Sequence, residues 1–238
     1  MKCFFFLACI LFSLSANSQL NSLPLVTGVD SIFSRRLTGE TYMDVMKING
    51  NQSVNDDWVD GDILLSSGEK VYQNKIKYNG LLDEVIWLNS SGSHEFKLDK
   101  QLICEFWYKD AKGESVHFKK IHIVKQAANN LSEIFTEVVT EGKVSLYIQR
   151  RIRKIDVETR FKDDKLYTID IFGPEPLYFI KLLANNYAVM NKITRNSFLK
   201  LFPTERKSIL KLLSKNHLNF KTESSVVRII ELMNKEIF

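Results

Sequence analysis

What most constrains this chain is how little sequence separates one turn from the next. Gly-bearing turns are read at Asp60-Gly61, Ser67-Gly68 and Asn79-Gly80. Short β-branched or aromatic stretches lie between them, at 62–65, 70–78 and 84–88. SSGSHEFKL then turns at 90–93 and opens another strand, and QLICEFWYKDAKGESVHFKKIHIV holds a hairpin candidate around 110–113. Such spacing leaves no room for the helices that parallel βαβ units need, so residues 41–125 read as an antiparallel meander.

The pattern then becomes ambiguous. Leu131, Ile134, Phe135 and Val138 suit a short helix capped by Asn130 or Ser132, yet Phe135, Val138 and Val139 also suit a strand. Gly142 breaks either element. Alternation of Val144, Leu146 and Ile148 with Ser145, Tyr147 and Gln149 predicts one long strand over 143–155. Further strands are expected at 165–172 and 177–183, with a turn at 173–176, and Asn185 and Asn186 turn the chain into 187–192. The end reads as helical. A run opens near Phe198 and stops at Pro203, which suits the first turn of the next helix. Apolar stripes at Ile209, Leu212, Leu213 and at Val226, Ile229, Ile230, Met233 then predict helices over 204–218 and 224–236, the second capped by Thr222 or Ser224. The expected class is α+β: an antiparallel β-rich body over 41–192 and a C-terminal helical hairpin, 193–238, packed on it.

The first residues, MKCFFFLACILFSLSANSQ, have an early cation at Lys2, an apolar core from about Phe4 to Leu14, and small residues at Ala16 and Ser18. This is the pattern of a signal peptide over 1–18, followed by a loose lead-in over 19–40. A spanning anchor needs about 20 apolar residues, more than this run holds. Acylation at Cys9 is disfavoured because the apolar run continues through Ile10, Leu11 and Phe12. Cleavage before Gln19 leaves 220 residues and one cysteine, Cys104, so no intramolecular disulfide is expected. Cys104 sits in the strand-like LICEFWY and reads as a buried small hydrophobe. A disulfide-free exported chain suits a bacterial periplasm or cell surface, and sequons at Asn51, Asn89 and Asn130 have no role there.

Charge is uneven. Residues 19–142 carry 13 Lys/Arg against 18 Asp/Glu, whereas residues 143–238 carry 19 against 10. Two basic groups stand out: Arg150, Arg151, Arg153 and Lys154, and Arg206, Lys207, Lys211 and Lys215. They form a candidate surface for an acidic protein or an anionic envelope surface. The plain alternative is a charge-protected edge strand and a solvated helix face. Export argues against nucleic acid as the target.

Catalytic signatures are missing from the sequence. No G-x-S-x-G, H-E-x-x-H, Walker loop, G-x-G-x-x-G or cysteine pair occurs. His94, His117 and His122 make at best a weak metal set, since 117 and 122 fall on opposite faces of one strand. Asp56, Asp57, Asp60 and Asp62 are an acidic group without EF-hand spacing. Trp58, Trp87, Trp107, Tyr72, Tyr78 and Tyr108 would serve a glycan site if exposed, but in strands they read as core. No cofactor is implied.

Three stretches carry a resemblance: GDILLSSGEKVYQNKIKYN, EVVTEGKVSLYIQR and LFPTERKSILKLLSKNHLNFKTESSVVRIIELMN. In them the chain resembles a group of small uncharacterised secreted proteins of the Bacteroidetes. The resemblance implies export and brings no activity or site residues with it. The expected role is a secreted or envelope-associated non-enzymatic protein that binds a partner or structures an assembly. The rivals are a hydrolase of envelope polymers using paired carboxylates and a small-ligand carrier. If the leader is cut as read, intact-mass analysis of envelope material will show a chain that begins at Gln19; one that retains Met1 or carries lipid on Cys9 would refute the cleavage.

Overall fold

The computed structural model describes residues 26–27, 37, 39–42, 50–55, 57–89, 91–125, 130–162, 165–182 and 186–238. The leader, most of the lead-in and Asp56 lie outside them. The strands are β1 (Val26–Thr27), β2 (Gly39–Thr41), β3 (Val59–Leu65), β4 (Lys70–Asn79), β5 (Glu84–Leu88), β6 (Glu95–Leu98), β7 (Ile103–Lys109), β8 (Ser115–Lys125), β9 (Asn130–Thr140) and β10 (Ser145–Gln149). There follow β11 (Ile152–Lys162), β12 (Lys165–Pro174), β13 (Leu177–Lys181) and β14 (Tyr187–Met190), then helices α1 (Arg195–Leu201), α2 (Arg206–Lys215) and α3 (Glu223–Glu236). The α+β class stands, with an antiparallel β body and a terminal cluster of three helices rather than two.

One sheet runs in the order β14-β13-β10-β9-β8-β7-β3-β4-β5-β6-β2, antiparallel throughout, with β1 added parallel to β4. It curls. Four strand spacings of about 4.8 Å separate β4 from β9 in pairing order, yet the rings of Tyr78 and Phe135 lie 6.4 Å apart. Phe106 and Phe118 stack between them at 4.7 Å. These four rings are almost wholly buried and fill the concave side of the curl. Further along, Leu146, Ile148 and Ile180 are buried instead beneath Phe198, Ile209, Leu213, Ile229, Ile230 and Met233 of the helices. The register places Phe118 opposite Glu137 and Glu137 opposite Ile148, so both cores lie on one face of the sheet.

The helices end where local chemistry ends them. Thr194 and Ser197 form a capping box on α1. Phe202 closes that helix just before Pro203, and the Thr222 hydroxyl accepts from Ser225 N to start α3. From α3, Asn234 reaches back to the sheet. Its amide donates to Val144 O at 2.8 Å and accepts from Val144 N at 2.9 Å, as a paired strand would. Gly142 makes room, because a Cβ there would meet Asn234 Nδ2 at 2.6 Å.

Three local expectations are corrected and one open reading is settled. Asp60-Gly61 is no turn: both lie within β3, at a bulge between Gly61 and Ile63. Gly61 is needed because Ile76 and the Trp107 carbonyl occupy the space of a Cβ. The 131–139 stretch is strand, part of β9. The single strand over 143–155 is two, broken at Arg150 and Arg151, and its halves enter different sheets. Cys104 is free and half-exposed rather than buried.

The position of α3 fixes the energetic ranking of its residues. Ile230→Ala, at a fully buried site, is expected to cost about 2–5 kcal/mol. Lys211→Ala, on the exposed side of α2, is expected to change stability by less than about 0.5 kcal/mol. Urea denaturation of the two variants measures both.

Candidate interaction site

Strands β11 and β12 leave the main sheet and, among the described residues, pair only with each other. Ten residue pairs hold them in register, from Ile152 with Pro174 to Lys162 with Lys165. At about 3.3 Å per residue, strands of this length extend roughly 30 Å. Neither makes a sustained contact with a third element. The result is a projecting arm with no strand paired to either edge among the described residues.

The arm is unusual in what it exposes. Eight large hydrophobics are exposed among the described residues, and five of them lie here: Ile155, Val157, Phe161, Leu166 and Tyr167. Phe161 is 71% exposed and its cross-strand partner Leu166 69%. Strand alternation puts Val157, Thr159 and Phe161 on one face with Leu166, Thr168 and Asp170. The other face carries Asp156, Glu158 and Arg160 with Tyr167, Ile169 and Ile171. Ion pairs stitch both sides: Lys154 with Asp170 at 2.5 Å, and Glu158 with Arg160 at 2.9 Å.

The root is clamped by the first basic group. The Arg150 guanidinium forks onto the Glu223 carboxylate at 2.6 and 2.8 Å, and its Nε donates to Glu137. Burial works against this charge, but the hydrogen bonds and charges of Glu223 and Glu137 outweigh it and hold the Arg150 pKa above its ordinary value. Arg151 Nε donates to Glu175 O at 2.7 Å, and its Nη2 reaches the Glu175 carboxylate at 3.0 Å and Asn191 Oδ1 at 3.2 Å. Ile152 N donates to Gly80 O at 2.9 Å. Gly80 itself sits against the Arg150 carbonyl, leaving no space for a Cβ. A pocket of about 290 Å³ lies beside this root, lined by Val54, Ile152, Phe172 and Pro176 among others.

The proposed anionic-partner residues therefore fall into separate roles. Arg150 and Arg151 are engaged internally, Lys154 is paired on the arm, and Arg153 is exposed at its base, 3.5 Å from Leu81 O. Arg206, Lys207 and Lys211 lie exposed on α2, and Lys215 pairs with Glu236 at 3.4 Å. Sequence reasoning passed over Phe161, Leu166 and Tyr167. The signal was present: over 154–162 the charged residues fall on even positions and Ile155, Val157 and Phe161 on odd ones, the alternation of a strand with one apolar face. Glu137 and Glu223, which hold the root, carry no sequence signal, being far apart in the chain.

The remaining candidates serve the fold. Asp60 pairs with Lys75 at 2.9 Å, and the Asp62 carboxylate accepts from Gln73 N at the bulge, where Gln73 has φ 56°. His117 binds Glu105 and stacks on Trp107, whereas His122 binds Glu133. No group of three or more His, Cys, Asp or Glu side chains that could hold a metal ion occurs among the described residues. Tyr78 and Tyr108 are core, while Trp58, Trp87, Trp107 and Tyr72 are half-buried. Tyr108 is pushed up to about 12, by burial first and the Glu137 charge second.

A cleft of about 720 Å³ beside the β4–β5 turn is lined by Glu40, Asp83, Glu84, Lys97, Lys100 and Glu133 among others. Burial raises the Asp83 pKa, opposed by Lys100, Tyr78 and the Phe135 N–H. Yet both its oxygens are engaged: Oδ1 by Tyr78 OH at 2.7 Å and Phe135 N at 3.2 Å, Oδ2 by Lys100 at 2.5 Å. That geometry ties β4 to β9 across the curl and leaves little of Asp83 for a substrate. No family model, curated protein or solved structure matches the chain.

Removing the Arg150 side chain leaves two half-buried carboxylates facing each other. Arg150→Ala is expected to destabilise the protein by about 2–4 kcal/mol, and Arg150→Lys to recover only part, since an ammonium cannot fork. Chemical denaturation gives both values.

Proposed function

We propose that this is an exported, envelope-associated protein whose β11–β12 arm engages a partner protein, either for binding alone or to structure an assembly. The observation that carries the reading is the concentration of exposed apolar side chains on an element that has Ile152 buried at its root but no residue in either core cluster. Exposed apolar surface gathered in one place costs solubility and is retained where something covers it. The leader-like start and the resemblance to secreted Bacteroidetes proteins support periplasm or cell surface as the place of work. Arg206, Lys207 and Lys211 on α2 supply a second, salt-sensitive contact to an acidic protein or anionic envelope surface. The hydrolase reading is disfavoured by Asp83, the most buried carboxylate of the cleft system, whose lone pairs are already used for cohesion.

The test is a double variant, Phe161→Ser/Leu166→Ser. Both sites are exposed, so melting is expected to stay within a few degrees of wild type. Affinity for the partner retained from the envelope fraction by the wild-type protein is expected to fall at least tenfold. Equal retention by the variant would move the binding site elsewhere.

A further inference from the structure

The arm has an unsatisfied edge, and its backbone orientation is readable. Val157 N donates to the Asp156 carboxylate at 2.8 Å. Residue 157 therefore presents its backbone outward, and by alternation so do 159 and 161. β11 has no partner on this side among the described residues. A long free edge is usually blunted by proline, a short length or one sign of charge. Here there is no proline within β11, and the charges are of both signs, two anions, Asp156 and Glu158, standing between Lys154 and the pair Arg160 and Lys162.

We infer that the partner of this edge is the same edge of a second copy, paired antiparallel about a two-fold axis at Thr159. The inference rests on the arm being a docking element. Its argument is charge register. Pairing about Thr159 sets Glu158 opposite Arg160, Asp156 opposite Lys162 and Val157 opposite Phe161, each twice by symmetry. The neighbouring two-fold registers fail. An axis at 157 sets Asp156 against Glu158, one at 158 sets Glu158 against itself, one at 160 sets Arg160 against itself, and one at 161 sets Arg160 against Lys162. Like charges directly opposite destabilise a strand pair. Of these five registers only the one at Thr159 is free of them, and it also covers exposed Phe161 with Val157.

The product is a four-stranded sheet, β12–β11 joined to its copy, with outward N–H and C=O groups of 157, 159 and 161 satisfied across the axis. On pairing, Asp156 is released from its own backbone and faces Lys162 of the copy. The contact is small, so a concentration-dependent dimer in the micromolar range is expected rather than a permanent one.

Sedimentation equilibrium of the mature full-length protein tests this, with each variant's melting measured alongside. Wild type is expected to dimerise. Glu158→Arg sets Arg against Arg160 twice and should weaken the dimer at least tenfold, while Glu158→Arg/Arg160→Glu restores opposite charges and should return it to within about threefold. Thr159→Cys should give a covalent dimer on mild oxidation, because Cα atoms of a hydrogen-bonded antiparallel pair lie about 5.5 Å apart, within disulfide reach. A protein that stays monomeric, or a dimer indifferent to Glu158→Arg, overturns self-pairing. If such a monomer still loses its envelope partner on Phe161→Ser/Leu166→Ser, the docking role of the arm stands and only the identity of its partner is wrong.

Discussion

The structure turns on one guanidinium. The concave face of the sheet holds two different cores, one filled by its own aromatic rings and one roofed by helices. Arg150 stands at the seam. It joins Glu137 on β9 to Glu223 at the start of α3, and its carbonyl lies against Gly80 at the end of β4. Two carboxylates from elements far apart in sequence need one cation between them, and the planar fork of arginine meets both without distortion. Fixing Arg150 also fixes where the chain stops being β10 and departs as the arm. The packing of the helices and the direction of the arm are thus set by the same group.

The aromatic curl has its own fastener. Asp83 sits in the left-handed region, at φ 60°, which aspartate tolerates better than most residues. From there its carboxylate spans Tyr78, Lys100 and the backbone of Phe135. A buried anion with its oxygens so engaged holds two strands together that the pairing order keeps four places apart. Together these two knots leave the arm beyond its root with little part in cohesion, and so free to vary in what it meets.

How much of this was legible in the sequence follows from the range of the forces involved. Turn spacing is local, so the antiparallel body and the helical end could be read from it, and Thr222 could be named as a cap. The Gly61 bulge could not, because the glycine answers to Ile76 and Trp107, which only the folded sheet brings near. The break at Arg150 was hidden for the same reason. Side chains alternate cleanly as far as Gln149, and nothing nearby says that Glu223 will claim Arg150 and Gly80 will take the Ile152 N–H. The basic cluster was visible as composition. Its division between an internal clamp and an exposed remainder depends on partners from distant segments.

Asn234 gives the fold a direction in time. Val144 exchanges both of its backbone hydrogen bonds with that side chain, 90 residues later in the chain, and Glu223 arrives almost as late. A chain made or threaded from its N-terminus presents the aromatic curl first, with the strip around Val144, Leu146 and Ile148 still uncovered. Completion waits for the last helix. Until then the molecule carries an open apolar face that invites a chaperone or a wrong neighbour, and a chain ending short of α3 would stay in that state. Helix α3 is the latch by which a finished copy differs from an unfinished one.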